Sequence, residues 1–136
     1  MSETVLTVEV ALDEVVEVHG STGEAAMLLF HGKSECDNFK GMILPGGVDT
    51  QKEAKGSARV LSARYILEGI DVAGEKCRIF IENNGEITDP GPDGIIHTKP
   101  MIYTDSKALS WMETANLVGT VSPMPGGVLI TICQVD

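Results

Sequence analysis

The sequence predicts an all-β fold, a single antiparallel β-barrel with one short helix, and three observations carry that reading. Apolar and polar residues alternate with a period of two along most of the chain. Clusters of Gly, Pro, Asn and Asp punctuate these runs, and only one stretch carries a helix-start signal. A strand sends successive side chains to opposite faces, so a period of two marks a sheet with one face in the core.

In the first run, Val8, Val10 and Leu12 alternate with Glu9 and Ala11, and "EAAMLLFHG" (24–32) follows as an apolar strand. "FKGMIL" (39–44) runs into the break Pro45-Gly46-Gly47, beyond which stands a lone carboxylate, Asp49. In "SARVLSARYILEG" (57–69), Leu61, Ala63, Tyr65 and Leu67 share one face, and Ser62, Arg64 and Glu68 the other. "KCRIFIENNG" (76–85) repeats the pattern, with Cys77, Ile79, Ile81 and Asn83 opposite Lys76, Arg78, Glu82 and Asn84. "DPGPDGIIHTKP" starts like a calcium loop at Asp89. Gly91 replaces a needed oxygen ligand and Pro100 stands where the bidentate Glu belongs, so it is read as a plain loop. Asp105 or Ser106 caps the expected helix, near Ser106 to Glu113, which carries Leu109, Trp111 and Met112. A final β-branched run, "GGVLITICQV" (126–135), closes the chain. Seven to nine short strands fit a closed barrel or a two-sheet sandwich. The barrel is preferred because it removes exposed edges and can hold a small ligand inside.

Composition narrows the function. The 136 residues form one expected domain, 1–136, with no linker and no repeat. Twenty acidic residues oppose ten basic ones, for a net charge of −10. Such a surface repels phosphate backbones and anionic lipids, so neither nucleic acid nor membrane is an expected partner. The acidic N-terminal stretch has no secretory signal pattern, and Cys36, Cys77 and Cys133 are too far apart for a C-x-x-C pair. Reduced, mostly buried thiols in a cytoplasmic protein are the expectation. A positive mean hydropathy (+0.09) beside that charge points to a symmetric homo-oligomer, a dimer by default.

The chain has no phosphate-cradling glycine motif, no nucleophile elbow and no His/Cys/carboxylate cluster at metal-ligand spacing. No metal and no cofactor are expected. What remains are polar groups on apolar strand faces. Tyr65 is either a core ring with its hydroxyl tied to a carbonyl or a hydrogen-bond donor to a ligand. Asn83 is either a strand-end residue of the Asn83-Asn84-Gly85 turn or a buried amide in need of a partner. Asp49 is either a turn cap or a desolvated base at a cavity mouth. In the functional alternative, Pro45-Gly46-Gly47 ends one strand and turns Asp49 toward the lumen, near Tyr65 and Asn83. Arg64, Tyr103 and Trp111 are the candidate ligand-binding residues. Arg64 lies on the face opposite Tyr65, where an ion pair would also hold it, and Trp111 and Tyr103 serve as core or cover one barrel end.

The stretches "LPGGVDTQ", "LSARYILEG", "IENNGE", "KPMIYTDSKALSWM" and "GTVS…VLITICQV" occur in an order that resembles the family called domain of unknown function 3237. Its pattern of G-G-x-D, A-R-Y, N-x-G, a strand proline and a tryptophan falls on Gly46, Gly47 and Asp49, on Arg64 and Tyr65, on Asn83 and Gly85, on Pro100 and on Trp111. Thr50 stands where the family often has a tryptophan. The resemblance implies a small barrel akin to calycin-like and allene-oxide-cyclase-like barrels, commonly oligomeric. A few fungal relatives look like cofactor-free cyclases that add a hydroxyl to an alkene, and Asp49, Tyr65 and Asn83 would supply that chemistry here. Two functions therefore stand side by side. One is a barrel that binds a small apolar or aromatic molecule, and the other is a cofactor-free acid/base enzyme of isomerase, lyase or cyclase type.

Overall fold

The computed structural model describes residues 2–87 and 94–136. Nine antiparallel strands form one sheet in the order β1-β9-β8-β7-β6-β5-β3-β2-β4, and β1–β2 and β4–β5 pairings close it into a ring. The strands are β1 Ser2–His19, β2 Gly23–Glu35, β3 Phe39–Ile43, β4 Val48–Ala54, β5 Arg59–Asp71, β6 Lys76–Ile87, β7 Ile96–Thr104, β8 Leu117–Met124 and β9 Gly127–Val135. The loop expected from Asp89 begins outside the described residues.

β3 and β4 lie end to end in a single stave of the barrel. β3 pairs with the end of β2 (Lys33↔Met42) and of β5 (Leu67↔Ile43), whereas β4 pairs with their first halves (Leu29↔Val48, Arg64↔Val48). Opposite β2, residues 43–47 face 30–32, and opposite β5, residues 44–47 face 65–66. The Pro45-Gly46-Gly47 break therefore inserts two extra residues into a stave that continues past it. An even insertion keeps the in/out parity, so Ile43, Gly47 and Asp49 stay on the inner face. Gly46 takes φ 110°, open only to glycine without strain. A Cβ on Gly47 would stand 2.9 Å from the Phe30 ring, so glycine here makes room for a core aromatic.

The interior separates into two layers. Its lower part is apolar: Leu6, Phe39, Leu67, Ile79, Ile81, Ile102 and Ile132 are essentially inaccessible, and burying each contributes roughly 1.5–3 kcal/mol. Val5 and Leu6 are both buried although adjacent, because β1 shifts register between Thr4 and Leu6. Leu12, in the alternating run with the buried Val8 and Val10, is 46% exposed. The pairing of β9 with β1 reaches only Ala11, so the wall that would cover Leu12 is missing.

The lower end is sealed by the segment between β7 and β8. Its helical part is a single 3₁₀ turn, Ser110–Glu113, shorter than the expected helix. Leu109 and Met112 plug the barrel, and Trp111 remains 37% exposed. The Ser106 hydroxyl donates to Asp71 Oδ2 at 2.6 Å and accepts from the Leu109 N–H at 3.1 Å. Asp71 Oδ1 accepts the N–H groups of Ala73 and Glu75, which shapes the β5–β6 turn. All three thiols are free, and Cys77 alone among them is fully buried.

Candidate functional site

Three of the sequence-predicted residues converge on the inner face. β4 pairs Asp49 with Ala63, β5 pairs Ala63 with Asn83, and β6 pairs Asn83 with Pro100. Directly paired residues share a face, so Asp49 and Asn83 sit in one cross-strand row with the small Ala63 between them. Tyr65 lies one layer below, fully buried, with its ring edge-on to Phe30 at 5.6 Å between centroids.

The upper layer carries polar atoms without partners. Asp49 Oδ1, the Tyr65 hydroxyl, both amide atoms of Asn83 and the Thr98 hydroxyl are buried and make no hydrogen bond among the described residues. A buried polar group left unpaired costs about 1–3 kcal/mol, so five such inward atoms form a concentration that folding alone does not explain. Gly119 supplies their space: a Cβ there would stand 2.5 Å from Thr98 Oγ1 and 3.4 Å from Asn83 Oδ1. The amide and the hydroxyl thus address one small volume over a bare backbone.

Asp49 is not a turn cap. Its Oδ2 accepts from Gln51 Nε2 at 2.8 Å, and Gln51 Oε1 in turn accepts from Arg59 Nε at 2.8 Å. Arg59 reaches on to Glu24 at 2.9 Å and Glu53 at 3.6 Å at the upper rim. Burial pushes the Asp49 carboxyl above its ordinary value, and the Gln51 hydrogen bond, the Arg59 charge and the Ser62 backbone N–H only partly oppose that shift. Burial also pushes the Tyr65 phenol up, so it remains a protonated donor at any physiological pH.

The structure does not bring Arg64, Tyr103 or Trp111 to this group. Arg64 points outward and pairs with Glu82 at 3.2 Å, Tyr103 is 60% exposed and stacks on Phe80, and Trp111 lies at the opposite end. Sequence reasoning missed Gln51, Arg59, Thr98 and Gly119. Strand parity was the available signal, since Gln51 is two residues from Asp49 and Thr98 two from Pro100. Two outer grooves of about 600 Å³ are lined by other residues, and none of Asp49, Tyr65 or Asn83 borders them. Among the described residues there is no cluster of His, Cys, Asp and Glu fit to hold a metal ion.

The model of a protein family of unknown function, DUF3237, matches residues 2–135. A UPF0311 protein of Clostridium acetobutylicum is 31% identical over 123 residues, covering 79% of this chain and 75% of that one. The chain also superposes on a solved "beta-barrel like protein" from Acinetobacter baumannii with TM-score 0.78 and 20% identity, covering 100% and 96% of the two chains. A solved enzyme from Penicillium herquei has the same fold at TM-score 0.76 and 13% identity, covering 100% and 94%.

Proposed function

We propose, from the premise that this chain belongs to the DUF3237 family of proteins of unknown function, that its upper lumen binds a small molecule with an apolar body and a hydrogen-bonding head. One observation carries the reading: the unpaired inward atoms of Asp49, Tyr65, Asn83 and Thr98 share one face above an aliphatic core. A ligand head that donates and accepts would satisfy them, and the core would take its body. Entry is from the upper end, because Leu109 and Met112 plug the lower one.

A second reading, acid/base catalysis, is favoured by Asp49. A carboxylate raised by burial is a stronger base than an exposed one, and Tyr65 and Asn83 are donors placed to hold an oxyanion or hydroxyl. Isomerisation, or ring closure by adding a hydroxyl to an alkene, needs only such groups and a shaped cavity. The Penicillium herquei protein demonstrates that a barrel of this fold serves an enzyme; the likeness to it carries the fold alone.

2-Tetralone, an apolar bicycle with a carbonyl head and acidic α-hydrogens, tests both readings. Binding is followed by NMR, and α-hydrogen exchange in D₂O by the loss of proton signal. Asn83→Leu is expected to weaken binding about fivefold, the worth of one hydrogen bond. Asp49→Asn is expected to leave binding in place and abolish protein-accelerated exchange. Binding indifferent to Asn83→Leu would sink the first reading, and exchange indifferent to Asp49→Asn would sink the second.

A further inference from the structure

The hydrogen bonds at the upper rim form a directed chain, and its direction fixes what each Asp49 oxygen does. Arg59 Nε only donates, so the Gln51 atom 2.8 Å from it is the carbonyl oxygen. The Gln51 amide nitrogen therefore faces Asp49 Oδ2 at 2.8 Å, and it too only donates. Oδ2 accepts in either protonation state, and because a carbonyl oxygen accepts better than a hydroxyl oxygen, this bond favours Oδ1 as the oxygen that carries a proton on Asp49. That is the oxygen buried without a hydrogen-bond partner among the described residues, and the Ser62 backbone N–H bears on the same carboxyl as a further positive pole.

We propose that Gln51, held in place by Arg59, is a positioning residue that occupies Oδ2 of Asp49 and so dedicates Oδ1 to proton exchange with a molecule in the lumen. This rests on the reading of Asp49 as the lumen base. Arg59 orients the Gln51 amide, and Glu24 and Glu53 hold Arg59 from the rim. In the step itself a C–H or O–H bond of the ligand breaks and its electron pair stays on the ligand. The proton bonds to Oδ1, and its return to another ligand atom completes an isomerisation with no other reactant. The alternative, a purely structural Gln51, would leave the two oxygens equivalent for chemistry.

The charged groups that bear on Asp49 are Arg59 on β5 and, beyond it, Glu24 on β2 and Glu53 on β4. His19 on β1 hydrogen-bonds Glu24 at 2.8 Å, and the Tyr65 phenol stands one layer below. A test isolates Gln51 from these: titration of the Asp49 side-chain carboxyl by ¹³C NMR in the full chain, with no ligand added. Gln51→Leu removes a hydrogen bond to the ionised form and is expected to raise the Asp49 midpoint by about one to two pH units. Gln51→Glu keeps the partner of Arg59 but puts a second carboxyl beside the first, and is expected to split the titration into two coupled steps. Arg59→Lys retains a charge and a donor and is expected to stay near the unsubstituted protein, whereas Arg59→Met moves the midpoint up. A structural role would lower the melting temperature of these variants without moving the midpoint. An elevated Asp49 midpoint unmoved by either Gln51 substitution overturns this proposal alone. A midpoint at the ordinary carboxylate value in the unsubstituted protein overturns the base reading and this proposal with it.

Discussion

At the scale of the residue, Asp49 is a carboxylate kept where it costs stability. Its folded value is raised above the unfolded 3.8, so the folded state holds the proton more tightly than the unfolded one. The penalty is absent below the unfolded value, grows as pH rises through the folded value, and is complete above it. Asp49→Asn is therefore expected to melt higher than the parent at pH 7. For a chain of this size the rise is expected to be a few degrees, roughly what small stability changes produce. The gap should close as pH falls toward about 4, which a melting series across pH checks. A mutant that melts well below the parent at pH 7 would return Asp49 to a local structural role. The sequence drew notice to this residue because an acid just after Pro45-Gly46-Gly47 is either a turn cap or a desolvated group, and sequence alone does not choose between them. It did not disclose Gln51, since an amide between charged neighbours in "DTQKE" looks like ordinary surface.

At the scale of the element, the same kind of group works in the opposite sense at the other end of the barrel. Asp71 is held below its ordinary value, first by the Ser106 hydroxyl, then by the N–H groups of Glu75 and Ala73. A depressed carboxyl contributes stability that is full above the unfolded value of 3.8 and is lost as pH falls through the folded value. Ser106 also receives the Leu109 N–H, so this latch ties the β5–β6 turn to the plug. Ser106→Ala is expected to lower the melting temperature at pH 7 and to flatten its decline between about pH 4 and 2, as measured by thermal unfolding in acid buffers. Strands were the most legible elements. The alternations at Leu61 to Leu67 and Cys77 to Asn83 land on the inner face because period two survives any twist of the sheet. Bulges were not legible. Nothing local marks the register shift that buries both Val5 and Leu6, or the two-residue insertion that makes one stave of β3 and β4. The helical part stops at one 3₁₀ turn, and Leu109 and Met112, three residues apart and so on one side of it, are both buried in the barrel end.

At the scale of the whole molecule, closure leaves one region unfinished. Among the described residues, the second half of β1 runs beyond β9 and pairs with β2 alone, which leaves residues 12–19 with an open backbone edge there. On the outer wall beside it, Val16 (53% exposed), Val18 (64%), Met27 (48%) and Leu29 are outward apolar residues, and Lys52 stands between Ala25 and Val60 in the row that starts at Val18. A groove of about 600 Å³ lined by Val18, Ala25, Ala54 and Val60 runs into the same surface. Hydropathy alone pointed to association but not to a face, because outward apolar residues read in sequence as part of the core. We propose that two copies pair through this wall. A two-fold contact is self-complementary, so one apolar face suffices, and a partner strand would satisfy the open edge. The charge argues the other way: Asp13, Glu14 and Glu17 line the edge, and His31 and His19 hold Asp13 and Glu17 at 2.6 and 3.1 Å. Glu24 and Glu17 raise His19 above its ordinary value, so association should weaken as pH rises and His19 loses its proton, and strengthen with added salt, which screens like charges. Light scattering at tens of micromolar, roughly the range in which stable interfaces remain assembled, is expected to give a dimer at pH 6. Val18→Asp is expected to give a monomer, with the fold retained by circular dichroism. A monomeric parent protein at pH 6 in moderate salt would leave this face without a partner copy and overturn the assembly.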